Sequence, residues 1–252
     1  MRIVRYRKGG RASYGIVEGA RVFAASGNLF KGLKKGRLAG KLDSLKLLPP
    51  LKPSKIAALG RNYLEHAREM GSDAPPEPLI FLKAPTAIIG PGDAIMIPQG
   101  AGRIDYEGEL VAVIGKKCRN VPEEKALDVV FGYTCGNDVT AREQQAKDGQ
   151  WARAKSYDTF APIGPCIVTG IQPNGRRLQT RLNGKVVQET NTDQMMFKVA
   201  RQIAHISRFM TLLPGDIIFT GTPSGIGPMK AGDIVEVEIE GVGTLENRCV
   251  AE

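Results

Sequence analysis

The run IDYEGELVAVIG, residues 104–115, constrains this chain more than any other segment. Strand side chains alternate faces, so Glu107 and Glu109 point the same way at the head of a strand whose continuation is almost wholly apolar. Two like charges that close raise each other's pKa unless a cation lies between them. Asp138, in FGYTCGNDVTARE, follows a second apolar run in a similar setting. Three carboxylates with no Cys or His beside them describe a hard-cation site for Mg²⁺, Mn²⁺ or Ca²⁺. A competing reading places Glu107 and Glu109 on the wet face of an edge strand, where alternating acids commonly stand. Gly108 between them weakens a strand and marks close approach by a ligand or another backbone.

A chain of 252 residues has room for one large all-β or α+β domain, or for a small domain followed by a larger one. The start, MRIVRYRKGG, has no apolar h-region, and no apolar stretch approaches the ~20 residues of a membrane span. The cytoplasm is the expected location, with no membrane partner. The four cysteines, at 118, 135, 166 and 249, form no C-x-x-C pair and read as reduced, mostly buried thiols.

The net charge of +9 is uneven: residues 1–55 hold 14 Lys+Arg against Glu18 and Asp43. That segment reads either as a nucleic-acid or anion contact strip, KGLKKGRLAGKLDSLK, or as a solvated basic surface without aromatics to stack bases. Its first part alternates in short strands, IVRYR, SYGIVE and ARVFAA, which predict a small β-meander. GNLFKGLKKGRLAGKL mixes helical and turn signals, and LLPPLKPSK is a proline-rich linker. The boundary falls there, giving a small basic domain over 1–52 and a larger domain over 53–252.

In the larger part, PGDAIMIP, PGDIIFTG and AGDIVEVEIEG repeat one grammar, a Gly-Asp turn leading into an apolar strand. Such units argue for a sheet-rich barrel or sandwich, with TDQMMFKVARQIAHISRFM as the clear amphipathic helix. RNYLEHARE favours helix and Gly71 stops it. His66 and Glu69 then share a face, so they form either a proton-accepting dyad or part of a salt-bridged surface helix. The segment 64–78, ending in the loop SDAPPEP, has few evident buried contacts and is expected to be a mobile lid. Lys155 stands where polar sequence turns apolar and can neutralise an oxyanion or simply be solvated. FTGTPSGIGPM offers glycines and hydroxyls around a carboxylate and is not a Walker loop.

In order, GRNYLEHAREMG, PLIFLKAPTAIIGPGD, DYEGELVAVIGK, FGYTCGNDVTARE, AKSYDTFAPIGP and LLPGDIIFTGTPSGIG resemble the fumarylacetoacetate hydrolase family in its short form with a small N-terminal domain. The resemblance spans residues 56–246. It implies an α+β, predominantly β fold, a mixed β-sandwich roll, in a homodimer. It further implies a Mg²⁺ or Mn²⁺ ion, with Ca²⁺ able to replace it in crystals, chelating a small anionic 2-oxo or diketo acid. Residue by residue, Glu107, Glu109 and Asp138 match the metal ligands, and His66 and Glu69 the water-activating dyad. Arg142, Gln145 and Lys155 match groups that steady the developing enolate or oxyanion, and Arg61, Asn62, Gly221 and Thr222 match substrate contacts. The additional upstream acid of the long members has no counterpart here.

The activity so implied is hydrolysis of a C–C bond in an acylpyruvate-like substrate, with the pyruvate enolate as leaving group. Isomerisation of a 2-hydroxyhepta-2,4-diene-1,7-dioate or decarboxylation of oxaloacetate would use the same enolate. Nucleic acid is not an expected partner, although residues 1–55 keep that class open.

Overall fold

Alternation organises the chain from its first residues. The computed structural model describes residues 1–252, and Arg2–Lys8, Arg11–Glu18 and Arg21–Asn28 form the expected antiparallel meander. Val4, Tyr6, Val17 and Val22 lie on one face of it and enter the core. The stretch with mixed signals is a fourth strand, Gly32–Lys41, at the edge of the sheet. Its exposed Lys34, Lys35 and Arg37 are what an edge strand needs, because charge there discourages further strand pairing. The meander does not stand apart: Arg2 and Ile3 pair with Val168 and Ile167, so its strands continue into a 12-stranded mixed sheet.

The strand Gly108–Ile114 is central to that sheet, between Val130–Asn137 and Ile217–Phe219. Leu110, Ala112 and Ile114 enter one core cluster while Val111 and Val113 enter another, so both faces are buried. The wet-edge reading of Glu107 and Glu109 therefore fails. A five-stranded sheet, containing Lys185–Asn191, Arg177–Leu182, Ile234–Ile239, Gly243–Ala251 and Ala94–Ile97, packs against the large one, and a three-stranded sheet holds Ile104–Tyr106. The fold is the expected mixed β-sandwich roll.

The Gly-Asp grammar has a local cause. At Gly90–Asp93, Leu213–Asp216 and Lys230–Asp233 the third residue is a glycine with φ of 69°, 93° and 96°. In each turn the Asp N–H donates to the first residue's carbonyl, and the Asp carboxylate accepts that residue's N–H at 2.7–2.9 Å. Only glycine tolerates the left-handed position cheaply, and only a short acid reaches back this way.

The amphipathic helix is shorter than its pattern, Val199–Phe209. Asn62 stops it from starting earlier: its side-chain oxygen accepts the Phe197 N–H at 2.8 Å and its nitrogen donates to the Phe197 carbonyl at 3.0 Å. All four cysteines are free, and Cys135, Cys166 and Cys249 are buried. No helix is long and apolar enough to cross a membrane.

Candidate active site

Glu107 and Glu109, at the head of Gly108–Ile114, converge with Asp138, which follows the end of the antiparallel strand Val130–Asn137; their ligand oxygens lie within 4.8 Å of one another. All three are buried. The strand Val130–Asn137 brings Asp138 beside Glu107, whose backbone N–H donates to Asn137 Oδ1 at 2.8 Å and whose carbonyl accepts from Asp138 N at 2.8 Å. Gly108 is required by packing: a Cβ there would meet Thr180 Oγ1 at 2.0 Å. The close neighbour marked by this glycine is a side chain of the second sheet.

Cations surround the acids unequally. Lys155 Nζ donates to Glu107 Oε2 at 2.9 Å and to Asp138 Oδ2 at 2.7 Å, and Lys83 Nζ donates to Asp138 Oδ1. Arg142 donates to Glu107, to Asp105 Oδ2 at 2.7 Å and to Gln145 Oε1 at 2.9 Å. Burial alone would raise Glu107, but Arg142 and Lys155 outweigh it and hold its carboxyl well below the usual range. Glu109 has no such partner: burial, then the Asp138 and Glu107 charges, push it well above the usual range. Burial would lower Lys155, yet Asp138 and Glu107 hold it above its ordinary value. Lys83 goes the other way, lowered by burial against the pull of Asp138.

Glu109 Oε1 is buried without any hydrogen-bond partner. A buried orphan acceptor next to two more carboxylates is costly unless something positive completes it. An all-oxygen donor set suits a hard divalent cation, so these residues fit one.

A cavity of about 580 Å³ opens beside the acids and is lined by His66, Glu69, Arg61, Arg103, Asp105, Glu107, Arg142, Gln145, Lys155 and Thr222 among others. The helix Leu64–Glu69 puts His66 Nδ1 3.1 Å from Glu69 Oε2. The alternative, a surface helix in which Glu65, Arg68 and Glu69 trade salt bridges, is not what the structure shows: Glu69 pairs with His66, and neither Glu65 nor Glu69 pairs with Arg68. Nor does the helix hang free as a flap: Ala67 is fully buried, and Glu69 Oε1 accepts the Gly225 N–H at 3.0 Å. The few buried contacts expected for a lid over 64–78 are found only past the helix, in the exposed or half-buried 73–77.

Arg142 and Gln145 share a face because a helix, Arg142–Asp148, starts at Arg142 and ends at Gly149, whose φ is 66°. Lys155 closes a short helix, Ala152–Lys155. The polar segment ahead of Lys155 carries a helix signature, Glu, Gln, Ala and Lys ahead of a glycine. Two buried residues were missed altogether. Asp105 binds Arg103 at 2.7 and 3.0 Å and also Arg142, and Lys83 neutralises Asp138. A lone charge in an otherwise apolar run, as in PLIFLKAP, was the available signal for Lys83. Asn62 lines no part of the cavity; its amide bridges Phe197 and the Thr220 carbonyl.

A mixed β-roll carrying a buried acidic trio, ringed by lysines and arginine and open to a histidine-lined cavity, defines a class of small-acid enzymes that work with a divalent metal. The chain belongs to the fumarylacetoacetate hydrolase family: residues 55–250 match the family described as fumarylacetoacetate (FAA) hydrolase C-terminal, and residues 1–50 match Rv2993c-like, N-terminal. A crystal structure of 5-carboxymethyl-2-hydroxymuconate delta-isomerase from Mycobacterium smegmatis superposes with a TM-score of 0.93, 42% identity and full coverage of both chains. The oxaloacetate tautomerase fahd2, mitochondrial, of Xenopus laevis is 44% identical over 82% of this chain and 69% of its own length. Maleylpyruvate hydrolase from Sphingobium sp. SYK-6 has a TM-score of 0.84 at 30% identity, with both chains fully covered. The family's members are enzymes, hydrolases and isomerases among them, that use divalent metals.

Proposed function

We propose that this protein is a Mg²⁺- or Mn²⁺-dependent hydrolase that cleaves a C–C bond in acylpyruvate- or diketo-acid-type substrates. The observation that carries the reading is the His66–Glu69 pair facing the same cavity as Glu107 and Lys155. Glu107, Glu109 and Asp138 would hold the cation, whose Lewis acidity would make a pyruvate enolate a tolerable leaving group.

The chain's own residues do the rest. Glu69 accepts the Nδ1–H of His66, which leaves the Nε2 lone pair to take a proton from water. The water oxygen then bonds to the distal carbonyl carbon, the C–C bond breaks, and its electron pair leaves as the enolate. Nε2 returns the proton to the enolate carbon. Lys155 stands ready to neutralise the developing oxyanion, and the free amide nitrogen of Gln145, whose oxygen is held by Arg142, adds a donor. Leu59, Trp151 and Ile226 form an apolar wall of the cavity that suits an acyl chain. Arg61 alone among the cavity's Lys and Arg side chains has no acidic partner, which suits an anionic group at the substrate's far end.

A second reading, isomerisation or tautomerisation through the same enolate, is favoured by identity: the relatives so named stand at 42% and 44%, against 30% for the maleylpyruvate hydrolase. It also uses His66 as the proton carrier; decarboxylation of oxaloacetate reaches the same enolate separately, by loss of CO₂ and without attack of water. Turnover of acylpyruvates, hydroxymuconate-type diacids and oxaloacetate with Mg²⁺ or Mn²⁺, followed by NMR, decides the matter. Release of pyruvate and a carboxylic acid supports hydrolysis, and proton exchange without cleavage overturns it. A homodimer, a cytoplasmic location, and a basic domain over 1–52 beside a catalytic domain over 53–252 complete the proposal.

A further inference from the structure

Two of the segments around the cavity, the strand head at Glu107–Gly108 and the loop at Thr222, meet where residues 114 positions apart are hydrogen-bonded. One side chain outside the cavity joins them. Gln188, on the strand Lys185–Asn191 of the second sheet, is 2% exposed. Its Nε2 donates to Thr222 Oγ1 at 2.9 Å and to the Pro223 carbonyl at 2.9 Å, while its Oε1 accepts the Gly108 N–H at 3.0 Å. The amide has one orientation, because Pro223 offers only an acceptor and the Gly108 N–H only a donor. A buried amide with both N–H groups and its oxygen bonded is satisfied, and it ties another sheet's strand to a distant loop rigidly.

Local structure aims it there. Gln188 pairs with Thr180 and Val186 with Arg181, so the register slips and Val187 is left over, a bulge of the kind that redirects a side chain. The loop is fitted to the same strand: a Cβ on Gly225 would come within 2.3 Å of the Val187 carbonyl. Thr222 is constrained in turn. Its hydroxyl donates its only hydrogen to the Gly108 carbonyl at 3.1 Å and accepts from Gln188, so it has no proton left for a ligand. Its backbone N–H has no acceptor within the protein.

We propose that Gln188 is a positioning residue that locks the Thr222–Pro223 loop to the metal-binding strand. It turns the Thr222 main chain, rather than its hydroxyl, toward a carboxylate in the cavity. The role rests on the reading of the cavity as a 2-oxo acid site. It acts through Thr222, so the two residues form one unit.

The test is a double-mutant cycle on the full chain, with oxalate and Mn²⁺ affinities measured by calorimetry and folding checked by circular dichroism. Gln188→Met keeps length and removes the hydrogen bonds; Thr222→Val keeps shape and removes the hydroxyl. Each single variant is expected to weaken oxalate binding about 10-fold, and the double variant by no more than about the same factor. Thr222→Ser, which keeps the hydroxyl, retains wild-type affinity. Unchanged oxalate binding in Gln188→Met, or additive losses of about 100-fold in the double variant, overturns the proposal. Should Gln188→Met not fold, Gln188→Glu, which keeps shape and an acceptor for Gly108, replaces it in the cycle. Because no turnover is read, a chain that hydrolyses no acylpyruvate sinks the functional reading alone, while unaltered oxalate binding sinks only the role of Gln188.

Discussion

The backbone N–H of Gly221 donates to Glu109 Oε2 at 2.6 Å, and the other oxygen of that carboxylate has no partner at all. Glu107 is neutralised by buried Lys155 and half-buried Arg142, and Asp138 by buried Lys83 and Lys155, whereas Glu109 receives only this neutral donor. Its charge is the one the fold leaves for a cation to balance.

Replacing Glu109 by Gln removes that charge at constant shape. Mn²⁺ affinity should fall by at least the ~10–100-fold that changes in a metal's outer shell cost. Without metal, the variant should be no less stable than wild type, because the like charges of Asp138 and Glu107 no longer oppose it. Calorimetric titration and thermal melts with and without Mn²⁺ check both halves. Equal Mn²⁺ affinity would count against the ligand assignment.

The raised pKa of Glu109 makes metal binding pH-dependent. A carboxyl whose folded pKa lies above its unfolded value contributes stability below the unfolded pKa that is lost as pH rises through the folded pKa. The metal-free protein should therefore lose stability as pH climbs through that range, and Mn²⁺ should restore it. Since the ligand must be deprotonated, binding below the folded pKa releases a proton and affinity rises with pH. Titrations in buffers of different ionisation enthalpy measure the proton, which should be missing in Glu109→Gln.

His66→Ala should reduce hydrolysis by about 10²–10⁴-fold, the usual worth of a positioned acid–base group. Mn²⁺ and oxalate binding should survive, because no acid of the trio bonds to the imidazole. Wild-type turnover in this variant would remove His66 from the mechanism.

Arg61 is held at φ 55°, an uncommon conformation for a residue with a side chain, beside a cavity whose other Lys and Arg side chains are paired. Arg61→Met should raise KM about 10–100-fold for substrates with a second carboxylate, the worth of a hydrogen bond to a charged group, and leave monocarboxylic acylpyruvates little changed. An equal effect on both kinds of substrate would place Arg61 elsewhere in binding.

Lys83→Met leaves a buried Asp138 with Lys155 as its remaining cation. Breaking such a pair should cost about 3–5 kcal/mol in the metal-free protein, measured by denaturant unfolding. Saturating Mn²⁺ should recover part of that loss, since the cation takes over the neutralisation; no recovery would separate Asp138 from the metal.

Local rules determined much of this protein before any folding: strand alternation put Glu107 and Glu109 on one side, and the Gly-Asp turns announced the strands that follow them. The spacing of His66 and Glu69 was legible because it depends on one helical turn. The strand Gly32–Lys41 was not, because its lysines and glycines acquire meaning only at the edge of a sheet built by other segments. Arg142 Nε meets Asp105 across 37 residues, Lys83 meets Asp138 across 55, and Gln188 meets Gly108 across 80. Tertiary structure alone decided which charges balance, which glutamine fixes the loop, and which carboxylate is left unpaired. Burial sets the cost of a charge, and burial depends on the whole chain rather than on its neighbours in sequence.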